Sequence, residues 1–159
     1  MSSIDIAYIE SDANPKVKRW KRLALEPRAV KRERATLLEG LHLLSVVLEH
    51  PKAEIAALIL SEEAVSEAHE LVEKLAERTG ARVYGLTKRL YDQISPVENG
   101  AGCMCEMAIP AAAAPEDWRE ADVLYLDGVQ DAGNVGTLIR TAVAAGFATI
   151  AANVGTASI

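Results

Sequence analysis

The residues best placed to do chemistry lie in Asp127-Gly-Val-Gln-Asp-Ala-Gly-Asn-Val-Gly-Thr-Leu-Ile-Arg-Thr-Ala-Val-Ala-Ala-Gly146. The stretch follows Val123-Leu-Tyr-Leu126, a short apolar run that reads as a buried strand. Its Gly-rich turn leads into a helix from Asn134 to about Ala145, closed by Gly146. Open α/β sheets bind ligands at the carboxyl ends of their strands, and this helix begins there. Asn134 is expected to cap it, leaving backbone N–H groups of the first turn free to face an anion. Gly136 and Thr137 lie four and three residues before Arg140, on one helical face. The absent side chain at Gly136 leaves room for a ligand above Arg140, whose guanidinium is planar, permanently charged and suited to phosphate. Val135, Leu138, Ile139, Ala142 and Val143 are left to pack on the sheet. The spacing is neither the dinucleotide fingerprint nor the P-loop, which requires Gly-Lys-Ser/Thr. Gly-rich turns also open many ordinary helices, and Arg140 in a surface salt bridge is the plain alternative.

The positioning elements are those of an α/β protein. Ala148-Thr-Ile-Ala151 starts a second strand, which makes a βαβ unit with parallel strands. Pro110-Ala-Ala-Ala-Ala-Pro115 reads as a linker, assigned to residues 110–118, with the βαβ portion at 119–159. A unit of this size falls short of a usual domain, so its remaining cover is expected from elsewhere. Upstream, residues 1–14 show no period and are read as a flexible arm. Residues 15–109 form a separate domain. In it, residues 16–34 read as a basic helical segment broken near Pro27, followed by a strand at 36–40 and a helix at 41–49. Ile55–Leu60 reads as a buried strand, and Ser61 as the N-cap of a helix ended by Gly80. A strand at 82–85, a helix after Thr87 and a strand at 102–109 complete the domain.

Charge is concentrated in one place. The 159 residues carry a net −6, yet residues 14–35 hold nine Lys or Arg against two Glu, leaving −13 for the rest. Such a chain is no general polyanion binder, but one basic segment can hold a polyanion locally. No apolar run approaches a bilayer span, no secretory leader is evident at the N-terminus, and two cysteines make no disulfide framework. A cytoplasmic location is the expectation.

The stretch from Asp127 to Gly146 closely resembles the first signature motif of the SpoU family, S-adenosylmethionine-dependent RNA 2′-O-ribose methyltransferases of the SPOUT class. Asn14-Pro15-Lys16-Val-Lys18, Leu38-Glu39-Gly40 and the segment from Ser95-Pro96 to Gly102 resemble that family's N-terminal substrate-binding domain. The resemblance implies a three-layer α/β/α, ribosomal-protein-like RNA-binding domain, followed by the first βαβ portion of a Rossmann-like trefoil-knot domain. It implies that Arg140 is catalytic, engaging the ribose 2′-hydroxyl or its adjacent phosphate, and that Asn134 helps build the site. Lys16, Lys18, Arg19, Lys21 and Arg22, with Gly136 and Thr137, become candidates for RNA contact. The family's later motifs, which build the knot, the S-adenosylmethionine pocket and much of the dimer interface, have no match before Ile159. No cofactor-binding residue is therefore expected in this chain, which is expected to be inactive alone. The intact protein is expected to methylate ribosomal or transfer RNA as a homodimer. The alternatives are a non-catalytic RNA-binding module and an unrelated anion-binding protein.

Other candidates have plainer readings. Cys103 and Cys105, two apart, share one side of a strand as buried thiols, with too short a spacing for zinc. His42, His50 and His69 show no metal or triad spacing. Glu62, Glu63, Glu67, Glu70, Glu73 and Glu77 read as a solvated helix face. Tyr84 and Tyr91 could stack on bases, although packing is the commoner role.

Overall fold

Ile55–Ser61 is apolar enough to be buried on both faces, and the first part of the fold is built around it. A computed structural model describes residues 4–95, 97, 100–111 and 121–157. The chain divides into two compact units, Met1–Pro110 and Ala111–Ile159. Unit 1 is a five-stranded sheet in the order β1-β4-β3-β5-β2. Its strands are β1 (Ile6–Ile9), β2 (Ala35–Glu39), β3 (Ile55–Ser61), β4 (Val83–Leu86) and β5 (Cys103–Ala108). β1, β4 and β3 run parallel, and β5 is antiparallel to both β3 and β2.

Helices cover both faces of the sheet. On one side, Ala57 and Ile59 of β3 meet Val17 and Trp20 of α1 (Pro15–Leu25) and Leu90 and Tyr91 of α5 (Lys88–Asp92). On the other, Leu58 and Leu60 meet Leu44 and Val47 of α3 (Leu41–Glu49) and Ala68, Val72 and Leu75 of α4 (Ser66–Thr79). This alternation makes the expected three layers. The two helix layers differ in charge. α1 carries five cations and no anion, whereas α4 carries four glutamates against Lys74 and Arg78.

Pro27 divides the basic segment as expected. It ends α1, leaves Glu26 extended as the residue before a proline, and starts α2 (Pro27–Glu33). Two expectations fail. Residues 6–9 are no flexible arm but an edge strand, paired from Ile6↔Val83 to Ile9↔Leu86. Four residues are too few to display a period, and Ile6 and Ala7 pack under opposite helix layers. The neighbouring Tyr8 ring lies over Gly85, where a Cβ would fall 2.6 Å from Tyr8 Cε1. Ser61 is likewise no N-cap. It ends β3, buried, with its amide donating to Gly102 O at 2.8 Å, and α4 starts after Val65. Gly80 does close α4, in the left-handed conformation at φ 70°. The Pro110–Pro115 linker lies mostly outside the described residues.

Cys103 and Cys105 face the α3/α4 layer as free, buried thiols. Burial pushes both up to about 11. The folded protein should therefore resist iodoacetamide at pH 8, because only the thiolate attacks. Both sites should react readily in denaturant, and rapid alkylation of the native state would contradict this packing.

Unit 2 consists of β6 (Val123–Leu126), α6 (Ala132–Ala144) and β7 (Thr149–Ala152), with the strands parallel from Val123↔Thr149 to Leu126↔Ala152. Leu126, Val135 and Ala142 are its buried hydrophobic residues among those described. No helix among the described residues is long and apolar enough to cross a membrane.

Candidate functional site

The turn after β6 is fastened at its tip by an asparagine that follows β7. The side-chain oxygen of this residue, Asn153, accepts the N–H groups of Gly128 and Gly155, each at 3.1 Å. Its side-chain amide donates to the Asp127 carboxylate. The Thr156 hydroxyl is 3.0 Å from both Asn153 Oδ1 and the Leu126 carbonyl, and Ala157 N–H donates to Val129 O at 2.8 Å. The segment 153–157 is thus stitched onto 126–129. The available signal was Asn-Val-Gly after an apolar strand, a turn composition whose partners lie more than twenty residues away in sequence.

α6 begins earlier than expected. Asp131 is the N-cap, its carboxylate accepting Asn134 N–H at 2.7 Å. Asp caps as well as Asn, and its charge also suits the positive end of the helix dipole. Asn134 is therefore a first-turn residue with its amide occupied. Its exposed side chain shares no hydrogen bond with Arg140 among the described residues. The amides of Ala132 and Gly133 stay without an acceptor among those residues, as the opening of a helix dictates.

Arg140 behaves as the helical spacing implies. Side chains lean toward the helix N-terminus. A Cβ on Gly136 would fall 3.3 Å from Arg140 Nη1, so the guanidinium lies back over that glycine. Nη2 donates to Thr137 Oγ1 at 3.2 Å, and the Thr137 hydroxyl donates to Gly133 O at 2.9 Å. Gly133, Thr137 and Arg140 are exposed and share one face with the half-buried Gly136. That face is turned about 140° from Val135 at roughly 100° per residue, so it looks outward rather than onto the β6–β7 sheet. Arg140 makes no salt bridge among the described residues, which removes the plain alternative. A cation led back toward the positive end of its own helix, which opens with two amides unused among the described residues, makes a locus for an anion. The expected apolar face needs correction. Val135 and Ala142 are buried and Ile139 is half-buried, but Leu138 and Val143 are 38% and 62% exposed. They flank a stripe that two strands are too narrow to cover.

The basic segment is only partly free. Asn14 caps α1 by accepting Lys16 N–H at 2.9 Å, and Pro15 fills the first helical position. Lys16 and Lys18 are exposed and Lys21 is half-buried. Arg19 is not available for phosphate. Its Nε and Nη2 bond Glu106 at 2.8 and 2.7 Å, and its Nη1 bonds Glu33. Glu106, buried in the sheet, also accepts Trp20 Nε1–H at 2.8 Å. Arg22 stands 3.8 Å from Glu33. A hydrogen bond from Arg32, with Arg19 and Arg22 nearby, holds Glu33 below the usual carboxylate range.

The tyrosines pack. Tyr84 sits edge-on to Trp20 with ring centres 5.5 Å apart. Tyr91 is buried and donates to Glu39 at 2.9 Å. Burial, with the Glu39 carboxylate beside it, holds the Tyr91 phenol far above its ordinary value. Ser95 donates to the same Glu39 at 2.8 Å. Neither ring offers a face to a base.

Residues 14–105 match the family model of the MRM3-like substrate binding domain. The 23S rRNA (guanosine(2553)-2′-O)-methyltransferase RlmP of Bacillus subtilis (strain 168) is 32% identical over 151 residues, covering 94% of this chain and 55% of its own length. An rRNA methyltransferase from Sinorhizobium meliloti superposes with a TM-score of 0.76 at 24% identity, over 96% of this chain and 57% of that one. The SpoU methyltransferase AviRb from Streptomyces viridochromogenes, in complex with the cofactor AdoMet, gives 0.69 at 17%, over 91% and 55%. Those two likenesses speak for the fold. The chain spans about half the length of the relatives it matches.

Proposed function

Because this chain belongs to the SpoU family of RNA 2′-O-methyltransferases, with an MRM3-like substrate-binding domain at residues 14–105, we propose that the intact protein methylates a ribose 2′-hydroxyl of ribosomal RNA. One observation carries the reading: a guanidinium that meets no carboxylate among the described residues, laid back over Gly136 toward the end of α6 that opens with unused amides. Unit 1 holds the RNA, with Lys16, Lys18 and Lys21 as backbone contacts. Asn134 and Thr137 shape the opening around Arg140. The intact protein works in the cytoplasm as a homodimer.

A ribose hydroxyl is a weak nucleophile at neutral pH, and the developing alkoxide needs stabilisation and alignment. Arg140 supplies fixed positive charge at that oxygen or its neighbouring phosphate. It does not itself take the proton, since a guanidinium stays charged below about pH 12. S-adenosylmethionine supplies the electrophilic methyl group when bound. The polar groups at the tips of β6 and β7 are occupied by one another, Asn153 with Asp127 and Gly128. The described residues therefore fit the acceptor side of the reaction rather than an adenosyl cradle.

The test uses a protein carrying this sequence over the relatives' full length, with unmodified ribosomal RNA and methyl-labelled cofactor. Label is expected in an alkali-resistant dinucleotide, the signature of a blocked 2′-oxygen. Label released on free methylated bases would overturn the proposal.

A further inference from the structure

Lys16 and Arg82 are far apart in sequence, yet both reach the ring of Tyr84. Lys16 Nζ lies 4.8 Å from the ring centroid and the Arg82 guanidinium carbon 5.7 Å. Neither makes a salt bridge among the described residues, although Arg19, Arg22, Arg32, Lys74 and Lys88 all do. Asp5, one position before the Ile6↔Val83 pair, forms no ion pair with Arg82 either. Both cations are exposed. Both stems rise from fixed backbone: Lys16 from the capped first turn of α1, Arg82 from a residue whose carbonyl accepts Leu58 N–H at 3.0 Å. The electron-rich ring draws both cations to it, and each keeps a charge that no carboxylate among the described residues meets. An anion that reaches both is held by two charges at once. Arg82 lies outside the residue 14–35 cluster, so no count of charge along the chain reveals the pair.

Resting on the RNA reading above, we infer that Lys16 and Arg82 together grip one backbone phosphate of the substrate RNA, with Tyr84 as the floor between them. The grip sits at the β1/β4 edge of unit 1 and extends the RNA contact beyond α1. A planar guanidinium paired with a compact ammonium suits a phosphate held from two directions.

The test measures binding of a fluorescein-labelled oligouridylate to the full chain by anisotropy across a salt series. Arg82→Gln and Lys16→Gln are each expected to weaken binding about 3–10-fold near 0.1 M salt, and to lower the slope of log K against log salt by about one. The double variant should fall well short of the product of the two losses, because both groups serve the same phosphate. Lys74→Gln, on the opposite helix layer, should change nothing, and Trp20 emission should show each variant folded. Wild-type binding with an unchanged slope in Arg82→Gln overturns the pair while leaving the RNA reading intact. So do two losses that simply multiply. No binding by the wild type removes the RNA reading and this inference with it. Equal binding of polyglutamate, lost in the same variants, assigns the pair to an acidic protein instead and also overturns it.

Discussion

Arg140→Ala should reduce kcat for 2′-O-methylation by about 10²–10³-fold, the loss seen when one fixed donor to a developing oxyanion is removed. The argument is geometric. The guanidinium is exposed, leans toward the opening of α6, and among the described residues bonds only Thr137 Oγ1 and meets no carboxylate. Substitution therefore removes little packing, and the melting temperature should stay nearly constant, as surface changes usually fall within about 0.5 kcal/mol. KM for RNA should move much less than kcat if the contact strengthens at the transition state. Arg140→Lys should be intermediate, since an ammonium keeps the charge and loses the fork. Full-length protein assayed by methyl incorporation decides the matter, and unchanged kcat would remove Arg140 from the mechanism.

The second large effect is on folding. Glu106→Ala should destabilise unit 1 by about 3 kcal/mol, combining an orphaned buried N–H with a broken, partly buried ion pair. Glu106 lies between β3 and β2, where it accepts from Trp20 Nε1 and from two nitrogens of Arg19. Its removal leaves the indole N–H without an acceptor in the core. Arg19 keeps Glu33, and its side chain is 37% exposed, so water screens part of the loss. At about 4–8 °C per kcal/mol for a domain of this size, the melting temperature should fall roughly 12–24 °C. Glu106→Gln, which keeps an acceptor for Trp20, should lose about half as much. Calorimetry showing less than about 3 °C for Glu106→Ala would mean that the network contributes little to stability.

The same network shows what a sequence conveys and what it withholds. Helical period and proline placement marked α1, the break at Pro27 and α3, because those signals are local. The four-residue spacing of Gly136 and Arg140 was equally legible, since helix geometry alone puts them on one face. The fate of Arg19 was not legible: its partner Glu106 is 87 positions away and becomes a neighbour only when β5 enters the sheet. Asn153 was missed for the same reason. Asn134 was misplaced as a cap because Asp131, three residues earlier, caps as well and holds its amide. Ser61 was misplaced because strand pairing extends through it, and α4 opens after Val65 with no side-chain cap. β1 was overlooked because an edge strand of four residues is specified mainly by its partner, β4.

The unequal charge of the two helical layers has a kinetic consequence. A body with cations on one side and glutamates on the other carries a permanent moment, and near a polyanion it experiences a torque as well as an attraction. It should turn its α1 side inward before contact, which enlarges the fraction of collisions that are productive at low ionic strength. Once seated, the far side presents carboxylates at a distance greater than the roughly 8 Å over which physiological salt allows charges to be felt. A second polyanion approaching from behind therefore meets a net negative layer, four glutamates against Lys74 and Arg78. The arrangement makes a one-sided polyanion binder, able to settle on one charged surface without bridging two.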